Sequence, residues 1–219
     1  MSKQIFTPSV NKVLSMIFEQ GHLYHIYNQG NNRQRIFFSR ENYLFFLEKI
    51  KRHVLPYADV MAWCLMPNHF HLMVHVNAVS ASVGVTPSSG QTSHPDTNTK
   101  SFNDSIGIML RSYTRAINNQ ENRTGALFRE ETKAICLTQN DKLTKSWFST
   151  QGITQINIQH PEKQYPNVCF NYINYNPVKD RLVKQNEDWE FSSYLDIIGS
   201  RNWPLVNKSR IKDFGLELV

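Results

Sequence analysis

A chain of 219 residues, 40% hydrophobic and 12% aromatic, can bury one globular core, and neither a disordered nor a collagenous composition fits it. Cys64, Cys136 and Cys169 are widely spaced with no CxxC pair, which excludes a disulfide framework and a zinc ribbon and points to a reducing compartment. A formal net charge of +6 favours a polyanionic partner through counterion release. No segment reaches the length of a membrane span, and the N-terminal residues lack a basic flank followed by a long apolar core, so a soluble, cytoplasmic protein is expected.

Residues 1–20 read as an N-terminal extension with a short amphipathic stretch at 10–19. The first strand is predicted over 23–28, LYHIYN, ended by the turn-rich run Gln29-Gly30-Asn31-Asn32. Ser39 is a favourable N-cap, and Tyr43, Leu47, Ile50 and Val54 then recur at helical spacing until Pro56. Lys49, Lys51 and Arg52 fall in the last turns of that helix, where cations complement its dipole. Two further strands, 58–65 and 69–76, meet at a tight Met66-Pro67-Asn68 turn and form an antiparallel hairpin.

The second of these strands carries the most pointed pattern in the chain, MPNHFHLMVHV over 66–76. Alternation places His69, His71, Met73 and His75 on one face and Phe70, Leu72, Val74 and Val76 on the other. Same-face neighbours on a strand are close enough for two imidazole nitrogens to converge on one divalent cation. An isolated HxH is more often a pair of hydrogen-bonded, half-buried histidines than a metal site.

Residues 77–101, rich in Ser, Thr, Gly and Pro and without an aromatic residue, read as a flexible insert. A second helix is predicted over 102–119, with Ile106, Met109, Leu110, Tyr113 and Ile117 on one stripe, followed by a strand near 133–137. The order β, α, β, β, α, β is that of a ferredoxin-like or RRM-like antiparallel sheet with both helices on one face, an α+β fold. Residues 139–165 form a polar insert, and a helix over 166–175, stopped before Pro177, opens a C-terminal extension at 166–219. The core at 21–138 and this extension are expected to form one domain.

The segments YHIYNQG with downstream IFF, MPNHFHLMV, LRSYTRAIN followed by GALF, YINYNPVKDRLV and WEFSSY occur in that order across residues 21–196. This series resembles the REP-associated tyrosine transposases, a branch of the HUH single-strand transposases with one catalytic tyrosine. The inserts at 77–101 and 138–165 depart from that pattern, as does Gln29, where the family often carries arginine. The resemblance implies metal-dependent cleavage and rejoining of single-stranded or hairpin DNA, such as a REP-like palindromic repeat, through a 5′-phosphotyrosine bond. It implies that His69 and His71 hold the metal, Mg²⁺ or Mn²⁺, and that Tyr113, ahead of the Ala-Ile-Asn of TRAIN, is the nucleophile. The family's third ligand is a polar side chain about one helical turn beyond the tyrosine. Position 117 is isoleucine, so Asn118 is the expected ligand, with water as the alternative.

Arg33, Arg35, Lys51, Arg52, Arg111, Arg115, Arg123 and Arg129 are the expected DNA contacts, with solvated surface charge as the rival reading. His25 and His75 read as packed or structural histidines, and Tyr172, Tyr175, Trp189 and Trp203 chiefly as core, with base stacking as their other role. Pairing His69 and His71 with Tyr113 requires the second helix to lie across the sheet face that carries the histidines. The alternative is a non-catalytic DNA- or RNA-binding module on the same fold, although an RNP-type aromatic motif is missing. A metal-dependent hydrolase of small phosphoesters is disfavoured, since no carboxylate neighbours the histidines in sequence. No GxxxxGK[ST] is present, so no ATP site is expected, and both a monomer and a homodimer are compatible.

Overall fold

The computed structural model describes residues 17–82, 99–138, 147–150, 153–156 and 161–219. In chain order its strands and helices are β1 (Leu23–Gln29), α1 (Arg40–His53), β2 (Ala58–Met66), β3 (His69–Val76), β4 (Ser80–Ser82), β5 (Thr99–Ser101), α2 (Phe102–Gln120), β6 (Lys133–Cys136), β7 (Trp147–Thr150), β8 (Ile153–Ile156), α3 (Pro161–Lys179), α4 (Tyr194–Ile197) and α5 (Lys208–Asp213). β2, β3, β1 and β6 hydrogen-bond in that order, and every pairing is antiparallel. This is the ferredoxin-like sheet that the βαββαβ order predicts.

Each face of the sheet meets its own helical layer. Phe70, Leu72, Val74 and Val76 of β3, with Tyr24 and Ile26 of β1 and Trp63 and Leu65 of β2, form one core with the apolar stripes of α1 and α2. Leu23, Cys64, Met66 and Met73 point the other way and form a second core with Cys169, Phe170 and Ile173 of α3 and with Ile211 and Leu216 near the C-terminus. The two helices of the βαββαβ core therefore share one face, and the C-terminal extension returns to cover the other.

Local chemistry fixes the helix starts. At α1 the backbone amides of Phe38 and Ser39 both donate to Asn42 Oδ1. At α2 the Asp104 amide donates to Ser101 Oγ at 3.1 Å, and the Asp104 carboxylate accepts from the Ser101 amide at 3.4 Å. Such reciprocal caps contribute about 1 kcal/mol each. α3 departs from expectation, since it runs through Pro166 and Pro177 instead of stopping before the latter. Pro177 lies in the last turn, so its missing N–H costs the helix a single bond, the one to Ile173 O, and the turns before it are unaffected. The chain then leaves the helix through Asp180 N donating to Asn176 O and Leu182 N to Pro177 O.

The ends of the 77–101 insert pair as a short ribbon, β4 against β5, and its middle, like most of the 10–19 stretch, lies outside the described residues. Within the 139–165 insert, β7 and β8 pair as a second ribbon. Among the described residues, no helix is long and apolar enough to cross a membrane.

Candidate active site

The antiparallel register of β1 and β3 sets Tyr27 opposite His71, His25 opposite Met73 and Gln29 opposite His69. His25, Tyr27, His69 and His71 consequently share one sheet face, the one crossed by α3. On a helix, residues i, i+4 and i+7 fall on one side, and here they are Tyr172, Asn176 and Lys179. The Tyr172 ring meets His71 edge-on with centroids 5.3 Å apart. Asn176 Oδ1 lies 3.2 Å from His69 Nε2, the Lys179 ammonium sits 4.6 Å from the Tyr172 ring centroid, and Asp180 Oδ2 is 4.0 Å from His69 Nε2. The carboxylate missing from the sequence neighbourhood of the histidines is thus supplied by Asp180, just beyond the end of α3, which corrects that expectation.

Hydrogen bonding dictates what His69 offers. Its Nδ1 lies 2.7 Å from Asn68 Oδ1, an acceptor, so Nδ1 carries the proton. Burial holds the His69 imidazole below its ordinary pKa, against the opposing pull of the Asn176 hydrogen bond and the Asp180 charge. A neutral ring protonated on Nδ1 turns the lone pair of Nε2 toward Asn176 Oδ1, so two acceptors face each other with no hydrogen between them. Ligands at right angles on one octahedral cation sit about 3 Å apart, which is the separation seen here. His71 is also held well below its ordinary pKa, by burial first and then by His25, His69 and Lys179. Both histidines are therefore neutral, the form that ligates a metal.

Two imidazoles and an amide oxygen make a donor set suited to a borderline or hard divalent cation such as Mn²⁺ or Mg²⁺. Among the described residues no group of three His, Cys, Asp or Glu side chains forms a metal cluster. Tyr172 is 36% exposed, open enough for a phosphate to reach. Burial raises its phenol pKa, and a hydrogen bond from Asn176 works in the opposite direction.

Tyr113 is elsewhere. α2 lies on the opposite face of the sheet, and Tyr113 is 0% exposed, packed among Phe37, Phe46 and Phe128, with its hydroxyl donating to Ile36 O at 2.8 Å. This overturns the expectation that α2 covers the histidines. Tyr113 belongs to the same apolar stripe as Ile106, Met109 and Ile117, and the stripe as a whole is buried against the Phe70 face. Asn118 falls with it: its Nδ2 donates to Gly125 O at 2.9 Å and fastens the end of α2, on the far side of the sheet from His69.

The basic residues divide in the same way. Arg33 and Arg129 lie at the His69 end, the first through Asn68 Nδ2 donating to its carbonyl, the second through its amide donating to Gln29 O. Lys51, Arg52, Arg111 and Arg115 lie on the α1–α2 layer, Arg35 approaches Tyr43 of α1, and Arg123 donates to Gln34 Oε1. They do not surround the histidines as a group.

A solved structure shares this architecture. It is described as a REP-associated tyrosine transposase bound to a REP hairpin. The superposition has a TM-score of 0.52 at 16% sequence identity, covering 94% of this chain and 90% of that one. At that identity the likeness concerns the fold, an antiparallel four-stranded sheet with the two helices of its βαββαβ core on one face. No protein-family model matches the sequence, and no curated protein does.

Asn176, Lys179 and Asp180, which sequence reasoning did not single out, lie at the histidine face beside Tyr172, which was read there chiefly as core with base stacking as its other role. The signal was available in YINYNPVKD: a tyrosine followed one turn later by an amide, Tyr172 and Asn176, where Tyr113 is followed by Ile117. A helical ligand one turn beyond a nucleophile requires that spacing.

Proposed function

We propose that this chain cleaves and rejoins single-stranded or hairpin DNA by covalent catalysis, with Tyr172 as nucleophile and His69, His71 and Asn176 as holders of a divalent cation, Mg²⁺ or Mn²⁺. The observation that carries this reading is the convergence of Tyr172, Asn176 and the two neutral histidines on one sheet face. A DNA substrate is supported by the hairpin bound to the similarly folded protein, by the +6 charge, and by Arg33, Arg129 and Lys179 at the site.

When bound, such a cation withdraws charge from the non-bridging phosphate oxygens and from the departing oxygen. The protein groups do the rest. Asn68 orients His69. Asn176 and the Lys179 ammonium favour the phenolate of Tyr172, which attacks phosphorus in line. The Tyr172 Oη–P bond forms as the P–O3′ bond breaks. The phenol proton leaves to solvent, and the 3′ oxygen takes up a proton. One phosphoester replaces another, so rejoining reverses the exchange without a nucleotide triphosphate. Lys51, Arg52, Arg111 and Arg115, on the helix layer, add long-range attraction for the polyanion.

The test is incubation with a labelled DNA hairpin and Mn²⁺ or Mg²⁺, followed by denaturing electrophoresis. Wild type forms a denaturation-resistant adduct and Tyr172→Phe does not. Tyr27→Phe, which removes a neighbouring phenol on this face, retains it. Salt-sensitive binding without any adduct across a panel of palindromic hairpins overturns the proposal in favour of a binding module.

A further inference from the structure

We infer that His25 is a positioning residue for the metal pair, accepting the Nδ1 proton of His71 so that His71 presents only Nε2 to the cation. This rests on the reading of His69 and His71 as metal ligands. His25 stands on β1, beside β3, and points from the same face. Its Nε2 is 2.9 Å from His71 Nδ1, its ring lies at 29° to the His71 ring, and it is only 8% exposed. No sheet hydrogen bond needs an imidazole at this position, and a residue that merely filled the core would be apolar, like Met73 opposite it.

The chemistry of the pair leaves one arrangement compatible with ligation. An imidazole–imidazole hydrogen bond uses one N–H and one lone pair. If His71 donates its Nε2 lone pair to a cation, its proton is on Nδ1 and the acceptor is His25 Nε2, which places the His25 proton on Nδ1. His69 is held in the same manner by a different acceptor, Asn68 Oδ1 at 2.7 Å from its Nδ1. Two ligands thus have their inner nitrogens occupied by acceptors, one amide and one imidazole, and both outer nitrogens are left for the site. Outer partners of this kind typically change metal affinity 10–100-fold when lost.

The experiment compares wild type, His25→Gln and His25→Leu. Gln can still accept a hydrogen bond near the position of the His25 Nε2, and Leu cannot. Mn²⁺ binding is read by titration calorimetry, the Mn²⁺ dependence of adduct formation by gel, and the protonated nitrogen of His71 by long-range ¹H–¹⁵N spectra of the metal-free wild type. The expected results are Mn²⁺ binding weakened about 10–100-fold in His25→Leu, substantial recovery in His25→Gln, and adduct yield restored in His25→Leu at saturating Mn²⁺. In wild type the His71 proton is on Nδ1. Wild-type affinity in His25→Leu, a loss in His25→Gln as large as in His25→Leu, or a proton on His71 Nε2 overturns the role of His25 alone. The spectra decide the matter even if His25→Leu does not fold. Wild type that binds no Mn²⁺ at all overturns instead the metal reading beneath it.

Discussion

The two faces of β3 are almost equally buried, yet they carry different chemistry. Phe70, Leu72, Val74 and Val76 are at most 1% exposed against α1 and α2, while His71 and His75, on the other face, are 6% and 8% exposed. On the first face burial is matched by shape alone. On the second it is matched by directed polar contacts, His71 to His25 and His69 to Asn68. A tyrosine sits on each side, and their surroundings assign their work. Tyr113 spends its hydroxyl on a backbone carbonyl in a closed aromatic core, whereas Tyr172 is partly open beside two neutral imidazoles and a cation. Burial does not mark a site; converging donors with unspent lone pairs do.

The sharpest way to break this contrast is to remove each hydroxyl in turn. Tyr172→Phe eliminates the covalent adduct with its fold intact, and circular dichroism beside the adduct gel checks both. Next in size, His69→Ala and His71→Ala each abolish strand cleavage while hairpin affinity, read by gel shift, stays within a small factor. If they unfold the protein instead, the histidines are structural. Asn176→Ala raises the Mn²⁺ concentration needed for half-maximal adduct by about tenfold or more, since a ligand and a phenol partner are lost together.

Two smaller effects belong to stability. Burial lowers the pKa of His25 from 6.5 to about 4, so the folded state binds its proton less readily than the unfolded chain. Its neutral form therefore favours the native state fully above pH 6.5, and that contribution is lost as pH falls from 6.5 to 4, on the order of 3 kcal/mol. Urea unfolding at pH 7, 5.5 and 4 reads this, and His25→Leu flattens the dependence. Tyr113→Phe costs about 1–2 kcal/mol by leaving the Ile36 carbonyl unpaired in the core, and it leaves the adduct unchanged.

Much of the fold was legible in local pattern. The period-two alternation of MPNHFHLMVHV separated the two faces correctly, and helical spacing, with the Ser39 cap for the first helix, located α1 and α2. Those signals are short-range, and side-chain periodicity dictates them. The burial of Tyr113 on the face away from the histidines was not legible from the resemblance. Tyr113 occupies a position where a stripe of Ile106, Met109, Leu110 and Ile117 already demanded burial, and packing decided it. Which face α3 would cover depends on contacts between residues as distant in sequence as His69 and Asn176, to which no local pattern speaks. Pro177 disguised the length of α3 because a proline in a last turn reads the same in sequence as one that stops a helix.

The most direct measurement is to digest the protein–DNA adduct and locate the modified residue by mass spectrometry. The expected peptide contains Tyr172, from the segment YINYNPVK. A nucleotide found on Tyr113 or Tyr27, or no adduct with any palindromic hairpin, contradicts the assignment of the α3 face as the active site.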